Sequence, residues 1–392
     1  MKLVRTATLL AAVLTLWGHS AAAATPGVTK TEIVIGTVQD LSGPIAAFGK
    51  DTLDGMKLRI AEINEQGGIH GRKLKLLSED SGYDPKRAVL ATQKMVNLDG
   101  GIFAMTGLMG SAPAIAAMPV LLDAGVVSFM PMSSARPMFE PVHKLKFGFS
   151  QPNFDGQRSN APRLFKTSKS TKACILYQDD EFGLEIFRGA EAGFKDIGIS
   201  FTDVTTYKRG ATDFASQVAR MKQAGCDFVV MGTQIRETVG TISEMRKLGY
   251  NPTMVGSAST YTDLIPKLGG KAMDGLYADM WAKIPYVDDA SQPVRFWASK
   301  FKTMFDREAT IFGAYGYMIV DRLASGLQKT GPNLTTEGFV KAMETLTIEP
   351  DMFGSPRLTF SPTKHIGSLS TRISQLQNGR WEVVYDYPKG KD

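Results

Sequence analysis

Residues 107–137 read GLMGSAPAIAAMPVLLDAGVVSFMPMSSARP. IFAMTG, just upstream and overlapping the start, reads as a strand, VVSFMP reads as another, and the segment from about Ala112 to Asp123 between them reads as a helix. A strand, a helix and a further strand in that order make a crossover unit of a parallel sheet. Each strand stops in a bare, hydroxylated turn, Gly110-Ser111-Ala112 after the first and Ser133-Ser134-Ala135 after the second. A structural turn needs only a glycine or one capping residue. Two such turns on successive strands exceed that need.

The same alternation extends in both directions. EIVIGTV (32–38) and LKLLSE (74–79) read as the first two strands, with KFGFS (146–150) as a fifth. Leu53, Met56, Ile60 and Ile63 recur at helical spacing before a Gly67-Gly68 stop, and Asp84-Pro85 opens the next helix. The pattern then restarts with ACILYQ, SFTDVTTY, CDFVVMG, PTMVGS and GLYADM as strands. Helical segments near 183–197, 213–224 and 237–248 separate them. Two such sets predict an α/β protein of two doubly wound lobes. Helices at 292–305, 311–330 and 336–345 follow without intervening strands, and short tail strands carry an Asn378-Gly379 turn. These last hundred or so residues are too strand-poor for a third lobe and are expected to pack on the first two.

The bulk numbers bound the function. MKLVRTATLLAAVLTLWGHSAAAA has Lys2 and Arg5, an apolar core and a small-residue end, the layout of a secretory signal peptide over residues 1–24. An exported, periplasmic protein is expected. About 368 of the 392 residues then remain, enough for two domains. Removing Lys2 and Arg5 leaves 43 basic against 39 acidic residues, scattered rather than striped, which speaks against nucleic acid. Cys174 and Cys226 each open an apolar strand-like run; export permits a disulfide, and two separate small buried residues are an equal reading. The chain lacks a Walker loop, G-x-S-x-G and G-x-G-x-x-G. His70, His143 and His365 lie in separate, peripheral-looking turns without metal-type spacing. No catalysis, metal or cofactor is expected.

In open parallel sheets, ligands bind beyond the carboxyl ends of strands, where helix N-termini present unpaired N–H groups and partial positive charge. Two hydroxylated turns on one sheet edge would therefore receive a small anion, most simply a carboxylate. Ser and Gly are also ordinary caps, and the sequence leaves the two roles evenly weighted.

A resemblance adds to this. LSGPIAAFG (41–49), AEINEQGGIHGRKLKLLSEDSGYDP (61–85), QDDEFG (178–183) and CDFVVMGTQ (226–234) resemble the extracytoplasmic solute-binding proteins of the leucine/isoleucine/valine type, which serve ATP-driven importers. The similarity covers nearly the whole mature chain. It implies a type I periplasmic binding protein: two doubly wound parallel-sheet lobes joined by a multi-strand hinge, closing on a ligand. The expected lobes are 30–150 plus about 281–357, and 151–280 plus about 358–392. A monomer is expected, with an inner-membrane permease as partner.

Carried over by position, Ser111 and Ser134 resemble the hydroxyl residues that hold a ligand carboxylate, with Gly110, Ala112 and the Met132 backbone beside them. Phe48 and Phe182, placed in loops, close the site from the two lobes; Phe312 or Tyr315 lines the side-chain pocket, and Gln234 follows the third strand of the second lobe. Taken alone, each aromatic is more often core. One position departs from the pattern. Where amino-acid binders carry a carboxylate for the ligand ammonium, this chain has Ala258. Asp263, Asp180 or Glu237 could substitute, but none stands at the usual place. A buried ammonium without a counter-charge is costly. The reading therefore favours a benzoate-like or phenylpropanoid acid over an amino acid, with Arg136, Arg158 and Arg236 as further candidate carboxylate partners. A sensor of the same fold is the alternative, and an enzyme a remote one.

Overall fold

A computed structural model describes residues 25–387. The expected leader lies outside the described residues. The chain alternates strands and helices: β1 (Glu32–Gln39), α1 (Ala46–Glu65), β2 (Lys73–Asp80), α2 (Pro85–Val96), β3 (Ala104–Thr106), α3 (Ser111–Asp123), β4 (Val127–Phe129) and β5 (Lys146–Phe147). These strands form one parallel sheet in the order β2-β1-β3-β4-β5. Order reverses between β1 and β3, so the ends of β3 and β4 open onto one crevice. KFGFS supplies only the two paired residues Lys146 and Phe147, because the chain turns away to leave the lobe.

The second body contains α4 (Asn153–Thr167), β6 (Ala173–Gln178), α5 (Glu181–Lys195), β7 (Asp203–Tyr207), α6 (Ala215–Gln223), β8 (Phe228–Gly232), α7 (Ile235–Lys247), β9 (Thr253–Gly256), α8 (Leu264–Gly269) and β10 (Tyr277–Met280). Then come α9 (Gln292–Phe305), α10 (Ile311–Thr330), α11 (Thr336–Glu344), a small β11–β12 pair (Thr347–Ile348, Leu358–Thr359), β13 (Arg372–Gln377) and β14 (Arg380–Tyr385). The second sheet runs β14-β13-β10-β9-β8-β6-β7, with β13 and β14 antiparallel. The tail hairpin thus joins the second sheet, whereas α9 and α10 pack on α1. The chain passes between the two bodies after β5, after β10 and before β13.

α4 has no counterpart in the sequence reading. Pro152, Gly156 and Pro162 hide its period, and Pro162 sits inside the helix. Proline deprives the Arg158 carbonyl of its helical N–H. That carbonyl instead faces Gly193 of α5, where a Cβ would lie 2.2 Å from it. Helices α4 and α5 therefore touch backbone to backbone, and the proline is tolerated because this face is glycine-lined.

α1 and α10 make the corresponding contact in the first lobe. A Cβ at Gly55 would lie within van der Waals overlap of the Gly313 carbonyl, and one at Gly316 would sit 2.0 Å from the Thr52 carbonyl. Arg307 binds Asp51 and Asp54, and Thr310 Oγ1 donates to Asp51 at 2.5 Å, fixing the register. Phe48 consequently stacks on Phe312, centroids 3.7 Å apart.

Cys174 and Cys226 are joined in a disulfide that ties β6 to the approach of β8. His365 corrects the sequence reading: it is buried, stacked 4.4 Å from Phe147, with Nδ1 2.8 Å from the Lys146 carbonyl. Among the described residues no helix is long and apolar enough to cross a membrane.

Asp279 on β10 is buried beside α4, accepting from Asn160 Nδ2 at 2.6 Å and Gln157 Nε2 at 2.8 Å. Burial pushes its carboxyl up to about 7, with the two amide bonds pulling the other way. An unfolded Asp ionises near pH 3.9. Between about pH 4 and 7 the unfolded chain therefore releases a proton that the folded chain retains, so this group's contribution falls as pH rises through that window and is level above it. Urea unfolding of wild type should show that loss, and Asp279→Asn should flatten it. Gly316→Ala forces α1 from α10 and should lower stability by about 1–3 kcal/mol, read as a fall in the midpoint of thermal unfolding.

Candidate functional site

The strand ends of both bodies meet around a cavity of about 60 Å³. On the first lobe its wall is made by the two turns that dominate the sequence: Met109, Gly110 and Ser111 after β3, and Met132, Ser133 and Ser134 after β4. The turns are stitched together. Met109 bridges Met132, Gly110 N–H donates to the Met132 carbonyl at 3.0 Å, and Met132 N–H donates to the Leu108 carbonyl at 2.9 Å. Met132 N–H is thus spent, which corrects the expectation that it offers this group to a ligand. Ser133, beyond the expected set, holds Ser111: their hydroxyls lie 2.9 Å apart, and Ser133 Oγ also accepts from Ala135 N–H. Ser134 Oγ is 3.0 Å from Ser150 Oγ at the first crossing.

Gly110 caps α3 at φ 93°, a conformation that favours glycine. A Cβ there would also strike the Tyr83 ring at 2.4 Å. The first-turn N–H groups of Ser111 and Ala112 have no partner among the described residues, and Pro113 has none to offer. Helix α3 therefore has two unpaired N–H groups at its positive end, beside the one hydroxyl it brings to the cavity, that of Ser111. Ala112 itself is buried in α3 and does not line the cavity.

The apolar walls come from both lobes. Phe48 and Phe182 line it from the first turns of α1 and α5, not from loops as expected, since both helices start earlier than the apolar pattern suggests. Phe312 and Tyr315 line it together from α10, one helical turn apart. From the second lobe come Gln234, which precedes α7, and Ala258 with Ser259 after β9. The Gln234 side-chain oxygen is buried without a partner.

The sequence reading missed Tyr83, Phe149, Ser150, Asn153 and Trp281. Most sit at the lobe crossings, where no period or cap marks them; the Gly82-Tyr83-Asp84 turn alone carried a signal. Tyr83 is buried at φ 60°, and its carbonyl accepts from Arg209 of the second lobe at 2.7 Å, with that guanidinium 4.6 Å from its ring. The two lobes are latched there, directly behind Gly110.

No lining residue carries a charge. Asp180 instead caps α5, accepting from Phe182 and Gly183 N–H; Asp263 pairs with Lys267 at 2.5 Å; and Glu237 is buried outside the cavity with its carboxyl raised by desolvation. The arginine candidates also fall away. Arg136 binds Asp155 and Glu140 and covers Phe154, Arg158 binds Asp196, and Arg236 does not reach the cavity. Among the described residues no cluster of His, Cys, Asp and Glu could hold a metal ion.

Two α/β lobes hinged by three crossings, with a polar-and-aromatic cavity where their strand ends meet, define a solute-binding protein. The sequence profile described as periplasmic binding protein matches residues 32–380, and the chain belongs to that family. It is similar to the Leu/Ile/Val/Thr-binding protein of Salmonella typhimurium, 27% identical over 264 residues that cover 66% of this chain and 72% of that one. Its fold matches a fatty acid ABC transporter substrate-binding protein from Thermomonospora curvata with TM-score 0.83 at 20% identity, covering 94% and 95% of the two chains. It also matches a branched-chain amino acid ABC transporter protein from Thermus thermophilus with bound valine, TM-score 0.82 at 14% identity, covering 92% and 97%. The family is periplasmic and serves ATP-driven importers by binding small solutes rather than converting them. A permease is the partner this implies.

Proposed function

We propose that this chain delivers to its permease a small amphiphilic carboxylate lacking an ammonium group. The acid end is held by the free N–H groups of Ser111 and Ala112 and the hydroxyls of Ser111 and Ser134. The apolar body lies against Phe48, Phe182 and Phe312. Each charge-assisted hydrogen bond contributes about 1.5–3 kcal/mol. The observation that carries the reading is the uncharged lining. Helix dipoles and hydroxyls can hold a carboxylate without a formal counter-charge. They offer an ammonium far less.

The cavity of about 60 Å³ is smaller than one that encloses a benzene ring, for which about 150 Å³ is known to suffice. A ring-bearing acid therefore enters by parting the lobes and shifting the Phe48–Phe312 stack, the hinge motion usual for this architecture. A branched-chain amino acid is the second reading, favoured by the names of the Salmonella typhimurium and Thermus thermophilus proteins but not by that of the Thermomonospora curvata one. Export through a cleaved leader and a monomeric state complete the proposal.

A thermal-shift panel of the mature protein separates the readings. A ligand at a hundredfold its Kd stabilises by about 2.7 kcal/mol. Benzoate-like acids should raise the unfolding midpoint and leucine should not; the reverse result discards the acid in favour of the amino acid. Combined Ser111→Ala and Ser134→Ala should weaken acid binding at least tenfold while leaving the unliganded melt near wild type. Undiminished binding would reduce both turns to caps.

A further inference from the structure

The cavity contains two buried donors with nothing to donate to. Trp281 and Tyr315 line it, are 2% and 4% exposed, and neither the indole Nε1 nor the phenol oxygen has a partner among the described residues. Most such groups elsewhere among the described residues are satisfied, with the Trp297 indole, outside the cavity, the exception. Trp381 Nε1 donates to the Thr262 carbonyl at 2.9 Å, Tyr250 to the Cys226 carbonyl at 2.7 Å, and Tyr317 to Glu62 at 2.7 Å. Buried donors are normally paired, and an indole N–H can only donate.

Neither ring is placed to turn away. Trp281 packs against Phe149, centroids 4.8 Å apart, and against the Arg322 guanidinium, 4.5 Å from its ring and 5.5 Å from the Phe149 ring. Tyr315 is wedged against Phe149 at 5.3 Å and Phe312 at 5.6 Å. Arg322 is itself buried, with Asp351 its one carboxylate at 3.3 Å and Nη1 unpartnered. A cation on one face of the indole makes its N–H a stronger donor. It also opposes a second cation at this end of the cavity.

We infer that the ligand carries, at the end away from its carboxylate, an oxygen acceptor received by Trp281 Nε1 and the Tyr315 hydroxyl. This rests on the proposed carboxylate reading and narrows it from a plain hydrophobic acid to one bearing a hydroxyl, keto or second carboxyl group on its tail. The tail acceptor completes two bonds that the empty-handed donors otherwise leave unmade, so acids without it are discriminated against. A site built to hydrogen-bond a group rejects the analogue that lacks it far more strongly than it discriminates by size.

Calorimetric titration of the intact mature protein tests this with matched probes: benzoate against 4-hydroxybenzoate, and pentanoate against 4-oxopentanoate. In wild type the oxygenated member of at least one pair should bind tenfold or more tighter. Tyr315→Phe and, separately, Trp281→Phe should each shrink that ratio at least threefold. A purely packing role for these rings would weaken both members of a pair alike and leave the ratio unchanged. Equal affinities within both pairs in wild type overturn the inference and assign the donors to buried water. Ratios unmoved by both variants overturn it too. If benzoate and pentanoate bind, and lose affinity in the Ser111/Ser134 double variant, while no tail preference exists, this inference alone fails. If no acid of either pair binds, the carboxylate reading fails and takes this one with it.

Discussion

The backbone contact between α1 and α10 is the constraint on which the site depends. Gly55, Gly313 and Gly316 remove the side chains that would otherwise hold the helices apart. Only at that separation can Phe48 stack on Phe312 and Tyr315 reach the cavity wall. The contact joins segments more than 250 residues apart, and the Asp51–Arg307–Thr310 cluster locks their register. Interiors packed to native density transmit such shifts directly, so a displaced α10 would move the aromatic wall with it.

The cavity is polar without being charged, and its surroundings explain how. The ionised groups nearest it are committed to one another or to the backbone: Asp180 to the α5 N-terminus and Arg209, Arg136 to Asp155, Lys267 to Asp263. What remains exposed to a solute is the start of α3, a ladder of serine hydroxyls and the faces of aromatic rings. Such donors are fixed before a ligand arrives, so little reorganisation is needed when one binds. The latch from Arg209 to the Tyr83 carbonyl sits against the same glycine that caps α3, so lobe closure and site geometry share a residue.

Local signals were readable where local chemistry fixes the conformation. The α9 and α10 boundaries follow the sequence reading because Thr310 caps one helix and Gly331 ends it, and Ser291-Gln292-Pro293 opens the other. The two hydroxylated turns were legible for the same reason, and the structure brings Gly110, Ser111, Met132 and Ser134 to one cavity with Phe48, Phe182, Phe312, Tyr315, Gln234 and Ala258. Ala112 and Arg136 stand outside it, the first turned into its helix and the second consumed by Asp155. Helix α4 was hidden because its stability comes from the glycine face of α5 rather than from its own period. Phe149 and Trp281 were hidden because crossings between lobes have no periodicity at all.

The sequence alone determined the α/β alternation, the two sets of strands and the pair of small, hydroxyl-bearing helix starts, since each depends on neighbours within a few residues. Tertiary structure decided which helix starts share a crevice, that no charged side chain lines it, and that Trp281 and Tyr315 are left without acceptors. Those outcomes depend on contacts between residues far apart in the chain, and whether a polar atom is satisfied can be known only once every neighbour has a position.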